Sequence, residues 1–565
     1  MKWASDASQM DIDNLPELIY KTTQIEQFIT DHRKYFIAGN KGMGKTLLLS
    51  IKRHQLSSTY SEEGSRKIMF IPQNEPFLDF MSGIMDMGKS NAFLEKRDEV
   101  RLLWKNCIMI SILSHFDVNF STNEREIIIK HSPNIIGEWM MSKSKVNPSL
   151  IFQELLRSLD LSRLIRFLKS VDNILQLKIS NIHSAVFVFI DKIDQAMASL
   201  SKSSWIHVQC GLLEAIWDIV ESNKHVKIYA SIRQEAFGNF TNKQIQSNIY
   251  NHTTQLQYYK EDLIGIMNKL SKVYENLPDF KRFLQVEIVH SAYHRQSEDA
   301  FSFINRHTVG RPRDFVILAN AISERQKNMN EDKLKDLVTT TAEQIILTNL
   351  YDESKQFLDC LYDQKDRFRF YELLKQNILT RKQLFEISCR FSGIEDSFET
   401  IRVKELPNHP FSELYKIGFL GTLHSAEGKQ KQRFKQPSDE FDYKTVDIPD
   451  SKYYFIHPII SFYLHGMSHE SHRIFKNIIV GHGYDWSNYS SRLFEIQSVS
   501  FGFDDDQLTG YLDRFLDQKF FELPNIKPEI RQSNEWLNLS KYLQSKSDFD
   551  KLHYLIDDLI DKEFT

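Results

Sequence analysis

The sequence predicts an α/β protein, a parallel sheet wound with helices, followed by regions that are mainly helical. Three observations predict it. Short apolar runs such as Tyr35-Phe36-Ile37-Ala38 and Ala185-Val186-Phe187-Val188-Phe189-Ile190 suit strands buried on both faces. Between those runs the apolar residues fall at helical spacing. Beyond residue 260 the strand pattern gives way to amphipathic stretches.

Taken in order, the first fourteen residues are polar and read as loose. Residues 23–30 fit a short helix leading into the apolar run 35–38. Next comes Gly39-Asn40-Lys41-Gly42-Met43-Gly44-Lys45-Thr46, and then the apolar Leu47-Leu48-Leu49-Ser50-Ile51. A glycine-rich turn between a buried strand and a helix is the setting of a phosphate-binding P-loop. Glycines let backbone N–H groups curl around phosphate oxygens, and the helix N-terminus adds its positive dipole end. Lys45 is placed to reach the β- and γ-phosphates, and the Thr46 hydroxyl to ligate Mg2+. Residues 83–90, Gly-Ile-Met-Asp-Met-Gly-Lys-Ser, spell the same pattern. They lack a β run before them and have a charged surface-helix pattern after them, so they read as a chance match.

A second strand fits residues 67–72. Residues 77–180 read as a long helical insertion, with amphipathic stretches at 100–116 and 150–174. The strand 185–190 follows, then a helix at 211–222, a strand at 226–231 and a short fifth strand at 254–258. Alternation of this kind predicts a doubly wound domain over residues 1–260. Helices at 261–270 and 314–325 suit a helical lid, residues 261–330. Helical patterns at 334–350, 354–362, 380–390 and 412–418 precede short strands at 421–423, 432–434 and 453–456. Helices followed by a β-hairpin predict a winged helix, residues 331–470, and residues 471–565 read as a helical C-terminal domain with a turn at Leu523-Pro524-Asn525.

Composition bounds the function. A chain of 565 residues implies about three or four domains. Hydrophobic content of 41% and charged content of 26% suit a soluble globular protein, and a net charge of −4 argues against a coat of nucleic-acid-binding charge. No signal-peptide core and no bilayer-spanning run is present, so a cytoplasmic protein without a membrane partner is expected. Cys107, Cys210, Cys360 and Cys389 show no CxxC pairing and suit reduced thiols. The high phenylalanine content suggests aromatic-rich cores and nothing functional.

A P-loop requires a carboxylate at the end of a neighbouring strand to hold hydrated Mg2+. Asp191 ends the run 185–190 and fits that role, with a plain helix N-cap as the weaker rival. Asp194, three residues on, reads either as the base that polarises the attacking water or as a first-turn surface carboxylate. Arg233 follows the fourth strand and reads either as a cation facing the γ-phosphate or as an ordinary surface arginine. Gly310-Arg311-Pro312-Arg313-Asp314 opens a helix with good helix-start chemistry and offers two arginines to the phosphates.

Together, residues 39–46, Asp191-x-x-Asp194, Arg233 and 310–314 resemble the STAND/NACHT and origin-recognition branch of AAA+-related P-loop ATPases. The likeness is nearest to bacterial ATPases of defence-type gene clusters and covers about residues 20–463. It implies binding of ATP/ADP with Mg2+, nucleotide exchange as a conformational switch, and oligomerisation when triggered. It also implies that Arg233 is a sensor arginine, Arg313 a lid sensor, and His457 a winged-helix histidine touching the nucleotide phosphate; the rival reading of His457 is a core histidine. Two departures stand out. Relatives with strong hydrolysis carry glutamate directly after the magnesium aspartate, where this chain has Lys192. The P-loop also begins near residue 39, which leaves no room before it for an effector domain, so the effector is expected in the C-terminal tail or in a separate protein.

Weaker signals are read blandly. His465, His469 and His472, and the pair His290 and His294, read as helix-surface histidines before metal ligands. Asp504-Asp505-Asp506 lacks the glycine and terminal glutamate of a calcium loop. Lys429, Lys431, Arg433 and Lys435 form a basic wing suited to a DNA backbone, opposed by the acidic stretch 438–442. The leading reading is an ATP-dependent switch that controls oligomerisation or a partner effector, with antiviral defence implied by resemblance. The alternatives are a DNA-binding ATPase of initiator or transposition-regulator type and a non-hydrolysing nucleotide-gated scaffold.

Overall fold

The computed structural model describes residues 3–4, 18–61, 69–71, 92–116, 118–133, 136–139, 145–158, 160–196, 200–290, 297–325, 329–374, 376–393, 409–426, 428–439, 448–463 and 479–486. The chain forms two compact units: Met1–Glu287 with Ala300–Leu358 and Gln436–Val446, and Ile288–Asp299 with Asp359–Lys435 and Asp447–Thr565.

The first unit is built on β1 (Phe36–Ala38), β2 (Met69–Ile71), β3 (Val186–Ile190), β4 (Val226–Ile232) and β5 (Thr253–Gln255). All neighbouring strands are parallel, in the order β2-β3-β4-β1-β5. β1 and β3 are buried along their whole length, as strands covered on both faces must be. This order puts the ends of β1, β4 and β3 side by side, the usual location for a ligand in such sheets.

Helix Arg97–Ser114 from the predicted insertion packs on helix Lys202–Ser222. Gly211 permits the close approach, since a Cβ there would stand 2.8 Å from Val100 Cγ1. Trp104 locks the contact: its ring stacks on Phe152 at 4.2 Å and its Nε1 donates to Val208 O at 3.0 Å.

Helices Lys260–Glu275, Phe280–Leu284, Ala300–Arg306 and Pro312–Glu324 belong to the same unit. Phe301 joins three of them, edge-on to Phe280 at 6.2 Å and stacked on Phe315 at 5.1 Å. Trp3 is buried against Tyr274 and Phe283, and its Nε1 donates to Glu275 Oε1 at 2.7 Å.

In the second unit, β6 (Ile288–His290) and β7 (Ser297–Asp299) form an antiparallel ribbon. β8 (Ile378–Thr380), β9 (Leu420–Ala426), β10 (Lys429–Arg433) and β11 (Tyr453–Ile456) form an antiparallel sheet in the order β10-β9-β11-β8. Helices Gln364–Leu373, Arg381–Ser392 and Pro410–Ile417 accompany this sheet as a winged helix. The second of them starts on a capping box, Thr380 with Gln383, and ends on Gly393 at φ +69°.

Several expectations need correction. Strands do not stop at residue 260, as β6 and β7 show. The stretch 150–174 is two helices, Pro148–Ser158 and Leu161–Ser180, because Asp160 caps the second by accepting from Arg163 N at 2.9 Å. The helix expected at 334–350 is Glu331–Thr341, a π-helical turn Ala342–Leu347 and Thr348–Ser354. The helix expected at 354–362 is replaced by a 3-10 turn Lys355–Phe357 and irregular chain. There the Glu413 carboxylate takes the N–H groups of Asp359, Cys360 and Leu361 at 2.7, 2.7 and 2.8 Å, in place of helical carbonyls. The strand expected at 254–258 ends at Gln255, and that expected at 432–434 is β10. Helix Gln364–Leu373 and β8 are additional. Residues 83–90, 465–472, 504–506, most of the acidic stretch after the wing and the tail beyond Trp486 lie outside the described residues.

Candidate functional site

The glycine-rich turn joins β1 to helix Lys45–Ser61. Gly42 and Gly44 sit at φ +87° and +88°, where a side chain is strained, and this curls the turn. Neighbouring strand ends staple it in place. Gly39 N donates to Ile232 O at 3.2 Å, Gln234 N to Gly39 O at 3.3 Å, and the Tyr258 hydroxyl to Met43 O at 3.0 Å. The Lys45 ammonium donates to Gly39 O at 2.8 Å and Asn40 O at 3.1 Å, so it spans the loop it emerges from. Burial pushes Lys45 down to about 8, against the pull of Asp194, Asp191 and Glu235.

Asp191 follows the last residue of β3. The register pairs Ile190 with Ala230, so Asp191 comes level with Ser231, whose hydroxyl donates to Asp191 Oδ1. Lys192 turns the chain away at φ +60°, in the left-handed region that disfavours side chains. Asp194 lies in the first turn of the short helix Ile193–Ala196.

Arg233, at the end of β4, is buried. Its Nε and Nη2 donate to Glu235 at 3.0 and 2.8 Å, its Nη1 to Asp194 Oδ2 at 3.3 Å, and its backbone N–H to Gln209 Oε1 at 3.0 Å. Although burial alone lowers its pKa, Glu235 and Asp194 raise it, so the guanidinium is fixed as a cation.

The 310–314 segment meets the P-loop directly. Arg313 N donates to Gly42 O at 3.3 Å, and a Cβ on Gly42 would stand 3.1 Å from Arg313 Cβ. Arg311 grips Asp314 through two bonds of 3.0 and 2.7 Å and donates to Lys41 O at 3.0 Å. Glu353, on helix Thr348–Ser354, completes the cluster with Arg311, with Arg313 at 3.4 Å and with Lys41 at 3.7 Å. Burial raises the Glu353 pKa, but Arg311, Arg233 and Lys41 bring it below the usual carboxylate value.

Within the first unit, Lys45, Thr46, Asp191, Asp194 and Arg313 line one cleft together with Leu18, Leu47, Ile266, Leu270 and Val316. Cationic and apolar side chains around one cleft suit the phosphates and the base of a nucleotide. Asn40 Oδ1, buried without a hydrogen-bond partner, adds polar capacity in the loop. Thr46 and Asp191 suit Mg2+, which keeps much of its water shell and needs few protein ligands.

The remaining candidates are each described within their own unit. His457 is in the second unit, buried between Phe419 at 5.8 Å and Phe434 at 5.2 Å, and its Nδ1 accepts from Ile459 N at 3.2 Å. His290 ends β6, while His294 is outside the described residues. Among the described residues there is no cluster of three or more acidic, histidine or cysteine groups able to hold a metal. Cys107, Cys210, Cys360 and Cys389 form no disulfide among the described residues.

Four contributors escaped sequence reasoning: Ser231, Tyr258, Glu235 and Glu353. The strand register would have found Ser231, which stands level with Asp191. Nothing local marks Glu353.

The first unit is a parallel α/β fold with a P-loop-like turn at the end of β1.

No protein-family model matches the sequence, and no curated protein matches it. Among solved structures, the chain is similar to the Aeropyrum pernix ORC1 protein in complex with DNA, with TM-score 0.33 and 10% identity over 76% of this chain and 92% of that one. It is similar also to the Aeropyrum pernix ORC2 protein in its ADPNP-ADP complexes, with TM-score 0.32 and 11% identity over 76% of this chain and 85% of that one. No described helix is long and apolar enough to cross a membrane.

Proposed function

We propose that the chain is an ATP-binding, slowly hydrolysing molecular switch whose nucleotide state controls its own oligomerisation or a separate effector protein. Support comes chiefly from the junction of the P-loop with the 310–314 segment, where the Arg313 N–H bonds Gly42 O. Bound nucleotide and lid position are coupled by such a contact. The loop N–H groups and the Lys45 ammonium bind phosphate oxygens. Thr46 and Asp191 would hold Mg2+, which when bound would neutralise charge on the phosphoryl group.

Slow turnover follows from the two residues that stand where a base is needed. Lys192 offers no carboxylate. Asp194 has one, but Arg233 holds it at 3.3 Å, and Arg233 is itself fixed by Glu235. A carboxylate in that grip is turned to the arginine and not to an attacking water until the arginine lets go. A place in antiviral defence rests on the family resemblance alone.

The test is the native mass of the full chain, with its copurified proteins, in ADP and in ATP. A nucleotide-dependent change in assembly supports the switch; identical species in both nucleotides contradict it. The DNA-binding alternative draws on exposed Lys429 and Arg433, although Lys429 faces Asp485 at 3.4 Å. Salt-dependent duplex binding lost on neutralising Lys429, Lys431 and Arg433 would favour it.

A further inference from the structure

We propose that Glu353 is the residue by which this site distinguishes a nucleoside triphosphate from a diphosphate: its carboxylate occupies, from within the protein, the cation cluster that a terminal phosphate would claim. The proposal rests on the reading of the cleft as a nucleotide site.

The geometry separates fixed cations from movable ones. The Arg311 side chain is 3% exposed and is committed to Asp314, Lys41 O and Glu353 Oε2. Lys41 and Arg313 are 32% and 25% exposed, border the cleft, and meet Glu353 Oε1 through single contacts of 3.7 and 3.4 Å. Three cations thus share the Glu353 carboxylate, and only Arg311 has a second carboxylate, Asp314. A phosphate dianion is a better partner than a carboxylate for an arginine fork and an ammonium. Because Glu353 is 6% exposed, it cannot turn to water while a phosphate takes its partners. The two anions therefore compete for the same donors, and a diphosphate, lacking the third phosphoryl group, has less to compete with.

Glu353 also sits where displacement would be transmitted. Its helix, Thr348–Ser354, follows the π-helical turn Ala342–Leu347, a geometry that often marks functional interruptions of a helix. It precedes the 3-10 turn Lys355–Phe357, whose Phe357 ring packs edge-on against Trp205 at 5.5 Å. The chain leaves the first unit at Leu358. Displacing Glu353 pulls on the segment that leads into the second unit.

The test measures affinities of the full chain for Mg2+ with ADP and with a non-hydrolysable β,γ-imido ATP analogue. Glu353→Gln should tighten the triphosphate about tenfold and change ADP by less than about twofold, and adding Arg313→Gln should remove that gain. In the wild-type protein, amide exchange over residues 348–357 should rise with the triphosphate and not with ADP. This exchange arm decides the matter should Glu353→Gln fail to fold. Equal shifts for both nucleotides, no shift, or exchange that is the same in both would overturn the proposal. Failure of the wild-type chain to bind either nucleotide would instead remove the parent reading, and this one with it.

Discussion

The Arg233 guanidinium lies 3.3 Å from the Asp194 carboxylate, so the side chain we propose as the base is held in an ion pair. Asp194→Asn should lower single-turnover ATP hydrolysis about a hundredfold and leave ATP affinity within about twofold, because a base acts in the transition state. Unchanged turnover would show that Asp194 is not the base.

Arg233→Ala should destabilise the first unit by about 3 kcal/mol, measured by denaturant unfolding, because it strands the buried Glu235 carboxylate. Glu235→Gln should cost less and raise turnover, since Arg233 then holds Asp194 through fewer constraints. Equal losses in both variants would mean that the arginine serves stability alone.

Lys45 predicts the pH dependence. Burial, opposed by Asp194 and Asp191, holds it at about 8 without nucleotide. Phosphate raises it again, so binding takes up a proton above pH 8. ATP affinity should be flat below pH 8 and fall by up to about tenfold per unit above it. Calorimetry in buffers of different ionisation enthalpy reads the proton directly. The sign for folding is opposite. The unfolded chain, with lysine near its ordinary value of 10.5, binds more protons between pH 8 and 10.5, so the Lys45 contribution to nucleotide-free stability rises with pH across that window.

Gly42→Ala should weaken ATP binding by tenfold or more, in the range of about 1–3 kcal/mol for strain at a left-handed residue. Its φ is +87°, and the new methyl would press on Arg313 Cβ at 3.1 Å, lifting the lid helix off the loop. Fluorescent-nucleotide titration measures it. Wild-type affinity would mean that the loop and lid can part without cost.

Parts of this site were legible because their chemistry is contiguous. The P-loop carries its glycines, lysine and threonine in eight successive residues between a strand and a helix. Asp191 was legible because it ends a fully buried five-residue strand. Glu353 and Glu413 were not, since each lies in an ordinary amphipathic helix and acquires its partners only through tertiary packing. Glu413 shows the same gap from the other side: a distant carboxylate claims three N–H groups and ends a helix that periodicity alone would extend. The cap at Asp160 was visible in sequence but lost to a longer apolar pattern around it.

The central claim is that residues 39–46 bind the phosphates of ATP, and Lys45→Ala tests it most directly. In isothermal titration with Mg2+, the wild-type chain should bind ATP and ADP, and the variant should bind both at least about a hundredfold more weakly, since a charge-assisted phosphate contact is lost inside a low-dielectric cleft. A Lys45→Ala protein that folds normally and binds ATP as tightly as wild type would contradict the account.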